Sequence, residues 1–146
     1  MEYSRKVKNY SNNLEEGVFF GYASIFNLED SYEDIILNGA FKNISKQQNT
    51  IPLLWQHERG EVIGIVYDFK EDYVGLYVEG QIDYTRYGKI YSFIRNNIIN
   101  GLSIGYVVND FTFDKKGRRV IKSLDLLEIS VVLSPANKFA NIIYCK

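Results

Sequence analysis

Short runs of apolar, β-branched and aromatic residues, separated by polar segments and glycines, make up most of the chain, and this spacing predicts strands. Val18-Phe19-Phe20-Gly21-Tyr22-Ala23-Ser24-Ile25-Phe26 is such a run, and its glycine predicts a bulge. Ile51-Pro52-Leu53-Leu54-Trp55-Gln56-His57 is a strand entered through proline, with Ile51, Leu53, Trp55 and His57 on one face at period two. Residues 62–67 and 73–82 predict two further strands joined by a polar loop at 68–72. Phe111-Thr112-Phe113 and Arg119-Val120-Ile121 flank Asp114-Lys115-Lys116-Gly117-Arg118, the pattern of a hairpin. Residues 124–133 form the most apolar strand, which Pro135 ends.

Two segments change period. The acidic stretch at 29–34 suits a helix start, and Ile35, Ile36, Phe41 and Ile44 extend an approximate apolar stripe to about Ser45. Between 85 and 100, Ile90, Tyr91, Ile94 and Ile98 fall at helical spacing, with Asn100-Gly101 as the stop. Strands and helices do not alternate as βαβ units, so the expected class is α+β, mostly β. No repeat, low-complexity tract or linker divides the chain, which predicts one domain over residues 1–146, with 1–13 a loosely ordered polar end.

Composition narrows the class further. A chain of 146 residues with 46% apolar residues can bury one good core. The net charge of −1 with dispersed Lys and Arg argues against nucleic-acid binding. The single cysteine, Cys145, excludes an internal disulfide framework and fits a reducing compartment. No long apolar run or signal-peptide pattern is present, so no membrane partner is expected. One His and one Cys, without carboxylates at ligand spacing, give no basis for a metal or other cofactor. Twelve Tyr and nine Phe exceed what one small core readily hides, which points to weak homo-oligomerisation, with the 85–100 helix placed to couple contact to the residues just after it.

Gly101-Leu102-Ser103-Ile104-Gly105 fits G-x-S-x-G, the nucleophile elbow of α/β-hydrolases. That fold places its histidine after the serine, whereas His57, the only histidine here, lies upstream. The residues after Gly105 also read as strand, not helix. A serine nucleophile on a β scaffold, at the start of a strand and just past a helix, survives both tests. A serine hydroxyl needs a base, and a histidine base works best with a third group that fixes its tautomer. His57 is the candidate base. Glu128, in Leu126-Leu127-Glu128-Ile129-Ser130-Val131-Val132, is the candidate third member, because a carboxylate amid so apolar a strand needs a partner. Asp125 competes from nearer the strand entry. Taken singly, each residue has a plainer reading: His57 as a packed residue, Ser103 as a tight turn, Glu128 as a solvent-facing edge residue.

Together these segments resemble successive blocks of the tailed-phage prohead (capsid maturation) proteases. The blocks are Gly21-Tyr22-Ala23-Ser24-Ile25-Phe26-Asn27, Asn38-Gly39-Ala40-Phe41, the run ending in His57, the run from Ile99 to Tyr106 centred on Ser103, the Glu128 strand, and Pro135-Ala136-Asn137. They stand in the family's order. The resemblance implies serine endopeptidases related in fold to the herpesvirus assembly proteases: a compact β-barrel with flanking helices, His57 as base and Ser103 as nucleophile. The herpesvirus enzymes use a second histidine as third member, and this chain has none, which favours Glu128. Backbone at Gly101, Leu102, Ile104 and Gly105 is expected to support the oxyanion, with Arg118 as counterpart of an arginine loop. The implied partners are the major capsid protein, its scaffold segment or a scaffold protein, and the protease itself, inside the prohead in the host bacterial cytoplasm. The competing class is a non-catalytic capsid assembly module that keeps the barrel.

Overall fold

The computed structural model describes residues 15–44 and 48–146. Along the chain run β1 (Val18–Ile25), β2 (Asp34–Ile36), β3 (Ile51–Trp55), β4 (Glu58–Glu71), β5 (Gly75–Ile82), α1 (Gly88–Arg95), β6 (Gly101–Phe113), β7 (Arg119–Val132) and β8 (Asn141–Cys145). The sheet order is β2-β7-β3-β4-β5-β1-β8-β6, and β6 also pairs with β7, so seven strands close into a barrel with β2 alongside β7. Closure through the β6–β7 pairing leaves the alternate inward positions to fill the interior. Phe19, Ile51, Leu53, Ile63, Val66, Val78, Leu102, Ile121, Ile129 and Val131 are fully buried there. Each large side chain so buried contributes about 1.5–3 kcal/mol.

β7 is the hub of the barrel. It runs antiparallel to β6 and parallel to β3 and β2, which explains why its sequence is almost continuously apolar from Leu124 onward. β1 carries the expected bulge, between Tyr22 and Ser24 opposite β5.

The first expected helix is not formed over 34–43. Asp30 accepts hydrogen bonds from the N–H groups of Tyr32 and Asp34 at 2.8 and 3.0 Å, closing an Asx-type turn instead of starting a helix. The β-branched pair Ile35-Ile36 then joins β7 as β2, opposite Val120 and Ile121. The Glu71 carboxylate receives the N–H groups of Gly39 and Phe41 and fixes the turns at 38–43. The proposed end of that helix, Ser45, and the polar end at 1–13 lie outside the described residues.

The second expected helix forms but is shorter. Asn97 takes a left-handed φ of 58°, its N–H bonds Ile94 O, and the N–H of Ile98 reaches back to Phe93 O. This is a Schellman closure three residues before the predicted stop. The expected loop at 68–72 is also corrected: residues to Glu71 continue β4 because they pair across to β5, Asp68 with Glu79 and Glu71 with Leu76. β8, not expected from the pattern, pairs with β1 and meets β6 at Gly101. Among the described residues no helix is long and apolar enough to cross a membrane.

Candidate active site

Strand pairing decides which side chains meet. β3 and β7 run in parallel with Leu54 beside Ser130 and Trp55 beside Val131. β3 then turns back into β4 through two residues, Gln56 and His57, since Trp55 pairs with Glu58. Both turn residues have positive φ, 53° and 61°, as a two-residue hairpin demands of its central positions. His57 is thus off the strand, contrary to the expected period-two placement, and its backbone occupies a conformation that costs a non-glycine residue about 1–2 kcal/mol. The conformation is held by neighbours: the Gln56 N–H donates to Val131 O at 2.9 Å, and the His57 N–H donates to Ser130 Oγ at 3.1 Å.

From the other side of β7, β6 brings Ser103 opposite Ser130 and Gly105 opposite Glu128. Directly opposed Cβ atoms in such a ladder lie about 4.5–5.5 Å apart. Ser103 stands at the third residue of β6, after α1, as the sequence pattern implies. It is 8% exposed, while the flanking Leu102 is fully buried.

β7 supplies the carboxylate between them. His57 Nδ1 and Glu128 Oε1 are 2.5 Å apart, and Ser130 Oγ donates to Glu128 Oε2 at 2.7 Å. A carboxylate can only accept, so this contact favours the imidazole tautomer with its proton on Nδ1 and its lone pair on Nε2. The Glu128 side chain is 15% exposed and that of His57 43%, so the pair sits at the cleft wall with its base open to solvent. His57 and Ser103 line the same cleft, of about 910 Å³.

Gly105 makes room for this arrangement: a Cβ there would fall on the Glu128 carboxylate, well inside contact distance. Gly101 is constrained differently, by Val132 O and the Pro135 ring. Leu102 offers its N–H to Ala140 O at 3.0 Å, so that donor is engaged in joining β6 to the β8 side. Arg118 binds Asp114 through Nε at 2.7 Å and approaches Glu29 at 3.8 Å. It sits at the far end of the β6–β7 ribbon, about 25 Å along the strand from Gly105 at ~3.3 Å per residue. Asp125 lies opposite Val107 and is displaced from His57 by a bulge, whereas Glu128 meets it.

Sequence reasoning missed Ser130, which is fully buried and joins the carboxylate to the histidine backbone. Its signal was present: a serine two residues from Glu128 on an otherwise apolar strand shares its face. Also missed was a second cluster lining the cleft around the buried Asp34, which Arg119 grips through Nε and Nη2, both at 2.8 Å, and to which Tyr106 donates at 3.1 Å. Burial and the neighbouring Asp34 charge push the Tyr106 hydroxyl far above its ordinary pKa, and the Asp34 hydrogen bond raises that of Arg119. Among the described residues no group of three or more His, Cys, Asp and Glu is arranged to hold a metal ion.

Comparison with known proteins adds the following. The profile of a family described as caudovirus prohead serine protease matches residues 3–146. The prohead protease of Enterobacteria phage HK97 is 38% identical over 135 residues, which are 88% of this chain and 60% of that protein. That of Escherichia phage T5 is 29% identical over 138 residues, 90% of this chain and 65% of that protein. The chain therefore spans somewhat under two thirds of the length of these relatives. Among solved structures, the bacteriophage T4 capsid assembly protease superposes with a TM-score of 0.62 at 13% identity, covering 79% of this chain and 80% of that one. The protease of KSHV, solved with a hexapeptide phosphonate inhibitor, gives 0.52 at 9% identity, covering 78% and 58%. These structural likenesses establish a herpesvirus-protease-like barrel.

Proposed function

The chain belongs to the caudovirus prohead serine protease family, and from that premise we propose that it is a serine endopeptidase acting in prohead maturation, with Ser103 as nucleophile, His57 as base and Glu128 as third member. The observation that carries the reading is the 2.5 Å contact of His57 Nδ1 with Glu128 Oε1 at the wall of the cleft that Ser103 lines. The carboxylate holds the imidazole in the tautomer whose Nε2 can accept a proton. Ser103 Oγ attacks the scissile carbonyl carbon as Nε2 takes its proton. The imidazolium formed is stabilised by Glu128 and returns the proton to the leaving amine. Water then attacks the acyl-enzyme by the same relay and releases the second product. The backbone N–H of Ile104, which strand alternation turns to the same edge as that of Leu102 and away from β7, is the candidate to stabilise the oxyanion.

The cleft suits an extended polypeptide. Residues from Ser103 to Val108 line it, and past Leu102 the edge of β6 away from β7 has no ladder partner among the described residues. An extended chain can add to such an edge through backbone hydrogen bonds. The substrates are the capsid scaffold, as a segment of the major capsid protein or a separate protein, and the protease itself, within the prohead in the host cell. Self-association is weak and raises activity with concentration.

The test is labelling by a serine-directed phosphonate probe together with cleavage of scaffold. The wild-type protein is expected to be labelled and active, and folded Ser103→Ala and His57→Ala variants inert in both assays. A folded wild-type protein that is neither labelled nor active would instead support a non-catalytic capsid assembly module.

A further inference from the structure

We propose that Ser130 is a positioning residue that locks His57 and Glu128 into one unit, acting on both the backbone of the histidine and the free oxygen of the carboxylate. The inference rests on the triad reading above and extends it to a residue that reading does not use.

The hydrogen-bond directions leave one arrangement. A backbone N–H can only donate, so the 3.1 Å contact from His57 N makes Ser130 Oγ an acceptor. The single hydroxyl proton is then left for Glu128 Oε2, 2.7 Å away. Glu128 Oε1 in turn accepts a hydrogen bond from His57 Nδ1–H. The four groups close a ring: His57 backbone to Ser130, Ser130 to Glu128, Glu128 to the His57 ring. Each carboxylate oxygen has its own donor, so rotation about the terminal torsion of Glu128 breaks two bonds at once.

The ring also answers two local problems. His57 holds a positive φ of 61° on a two-residue turn, a conformation that persists only where surroundings over-determine it. The bond to Ser130 ties that turn to β7. Ser130 is completely buried, so its hydroxyl has no bulk water to satisfy it, and its polar neighbours are the carboxylate and the histidine N–H. Ser103 pairs with Ser130 across the β6–β7 ladder, so the residue that positions acid and base is also in register with the nucleophile.

The presence of a single histidine makes the test direct. Selective ¹⁵N-histidine labelling reports the tautomer of His57 alone, independently of turnover. In the wild-type protein the neutral ring is expected as the Nδ1–H form. Ser130→Ala is expected to fold, to populate both tautomers, and to lower kcat about ten- to a hundredfold, the worth of a hydrogen bond to a charged group, with KM changed less than about twofold. Ser130→Cys fills nearly the same space with a poorer donor and is expected to show a smaller loss of the same kind, which serves if the alanine variant is unstable. In a Glu128→Ala background, Ser130→Ala is expected to cost less than about threefold more, because the hydroxyl then has no carboxylate to hold. A folded Ser130→Ala protein with unchanged tautomer and kcat overturns the proposal, as does an equal loss with and without Glu128. Failure of the triad reading is separate: it appears as activity retained by Ser103→Ala or His57→Ala, whatever the tautomer spectrum of Ser130→Ala.

Discussion

Gly105 faces Glu128 across the β6–β7 ladder, and the space of its missing side chain is where the carboxylate sits. Gly105→Ala is therefore expected to displace Glu128 from His57 and lower kcat at least about tenfold, the loss of one charged hydrogen bond, while the barrel stays folded by circular dichroism. Glu128→Gln keeps the shape and removes the charge that supports the imidazolium. Its kcat is expected to fall by about 10²–10⁴-fold with KM little changed, whereas Asp125→Asn stays near wild type. A crippled Asp125→Asn beside an unimpaired Glu128→Gln would reverse the assignment. At this scale Glu128 stood out in the sequence because a carboxylate in so apolar a strand needs a partner, and the structure sets it against His57; His57 and Ser103 stood out only together, by their order and by resemblance. Ser130 shares the face of Glu128 in the sequence, but its link to His57 exists only once β3 lies beside β7.

Two turns show what an element contributes beyond its propensity. The Gln56-His57 turn needs left-handed backbone at both positions, which Asn and Gly tolerate and β-branched residues do not. Gln56→Val is expected to destabilise the protein by about 1–2 kcal/mol in urea unfolding and to reduce activity through His57, while Gln56→Asn is neutral or stabilising by about 0.5 kcal/mol. At the opposite end of the β6–β7 ribbon, Asp114 accepts from the N–H groups of Lys116 and Arg118 and from the Arg118 side chain. The Arg118 backbone bond leads the effects that hold its pKa below the usual carboxylate value. A depressed carboxylate pKa stabilises the fold above its unfolded value and loses that contribution as pH falls through the folded one. Amide exchange at Lys116 and Arg118 is therefore expected to accelerate selectively below the usual carboxylate range, and Asp114→Asn to remove that acid dependence. Unaltered protection of both amides on acidification would contradict this role. The hairpin was legible from its turn residues. The 34–45 helix was misread because an acidic run followed by isoleucines fits a helix start and an Asx turn leading into a strand equally well. Pairing of Ile35 and Ile36 with β7 decided between them.

Closure of the barrel makes β7 the member on which the rest depends, since it contacts β2, β3 and β6 and carries both Glu128 and Ser130. Ile129, between those two residues, is fully buried in the interior. Ile129→Ala is expected to cost about 2–5 kcal/mol in urea unfolding, through lost burial and a residual cavity. A cost under about 1 kcal/mol would mean that the core collapses around the deletion and that β7 is less central than its pairing indicates. Ser103 on β6 and Glu128 on β7 are held by one hydrogen-bonded ladder, and His57 is tied to the same ladder through the β3–β4 turn. The cleft lies beside it, lined by β6 from Ser103 to Val108.

By itself the sequence determined the strand-rich class, the hairpin at 114–118, the helix before Ser103, and the need of Glu128 for a partner. These follow from local physics: side-chain period, turn conformation, and the cost of leaving a carboxylate unpartnered in an apolar run. Tertiary structure alone decided that residues 34–36 pair as a strand, that 68–71 continue β4, and that Asn141–Cys145 bridges β1 and β6. It also turned His57 off the strand into a left-handed turn, and seated Ser130 between that turn and Glu128. All of these depend on which strand lies beside which, a long-range outcome of barrel closure that no window of neighbouring residues encodes.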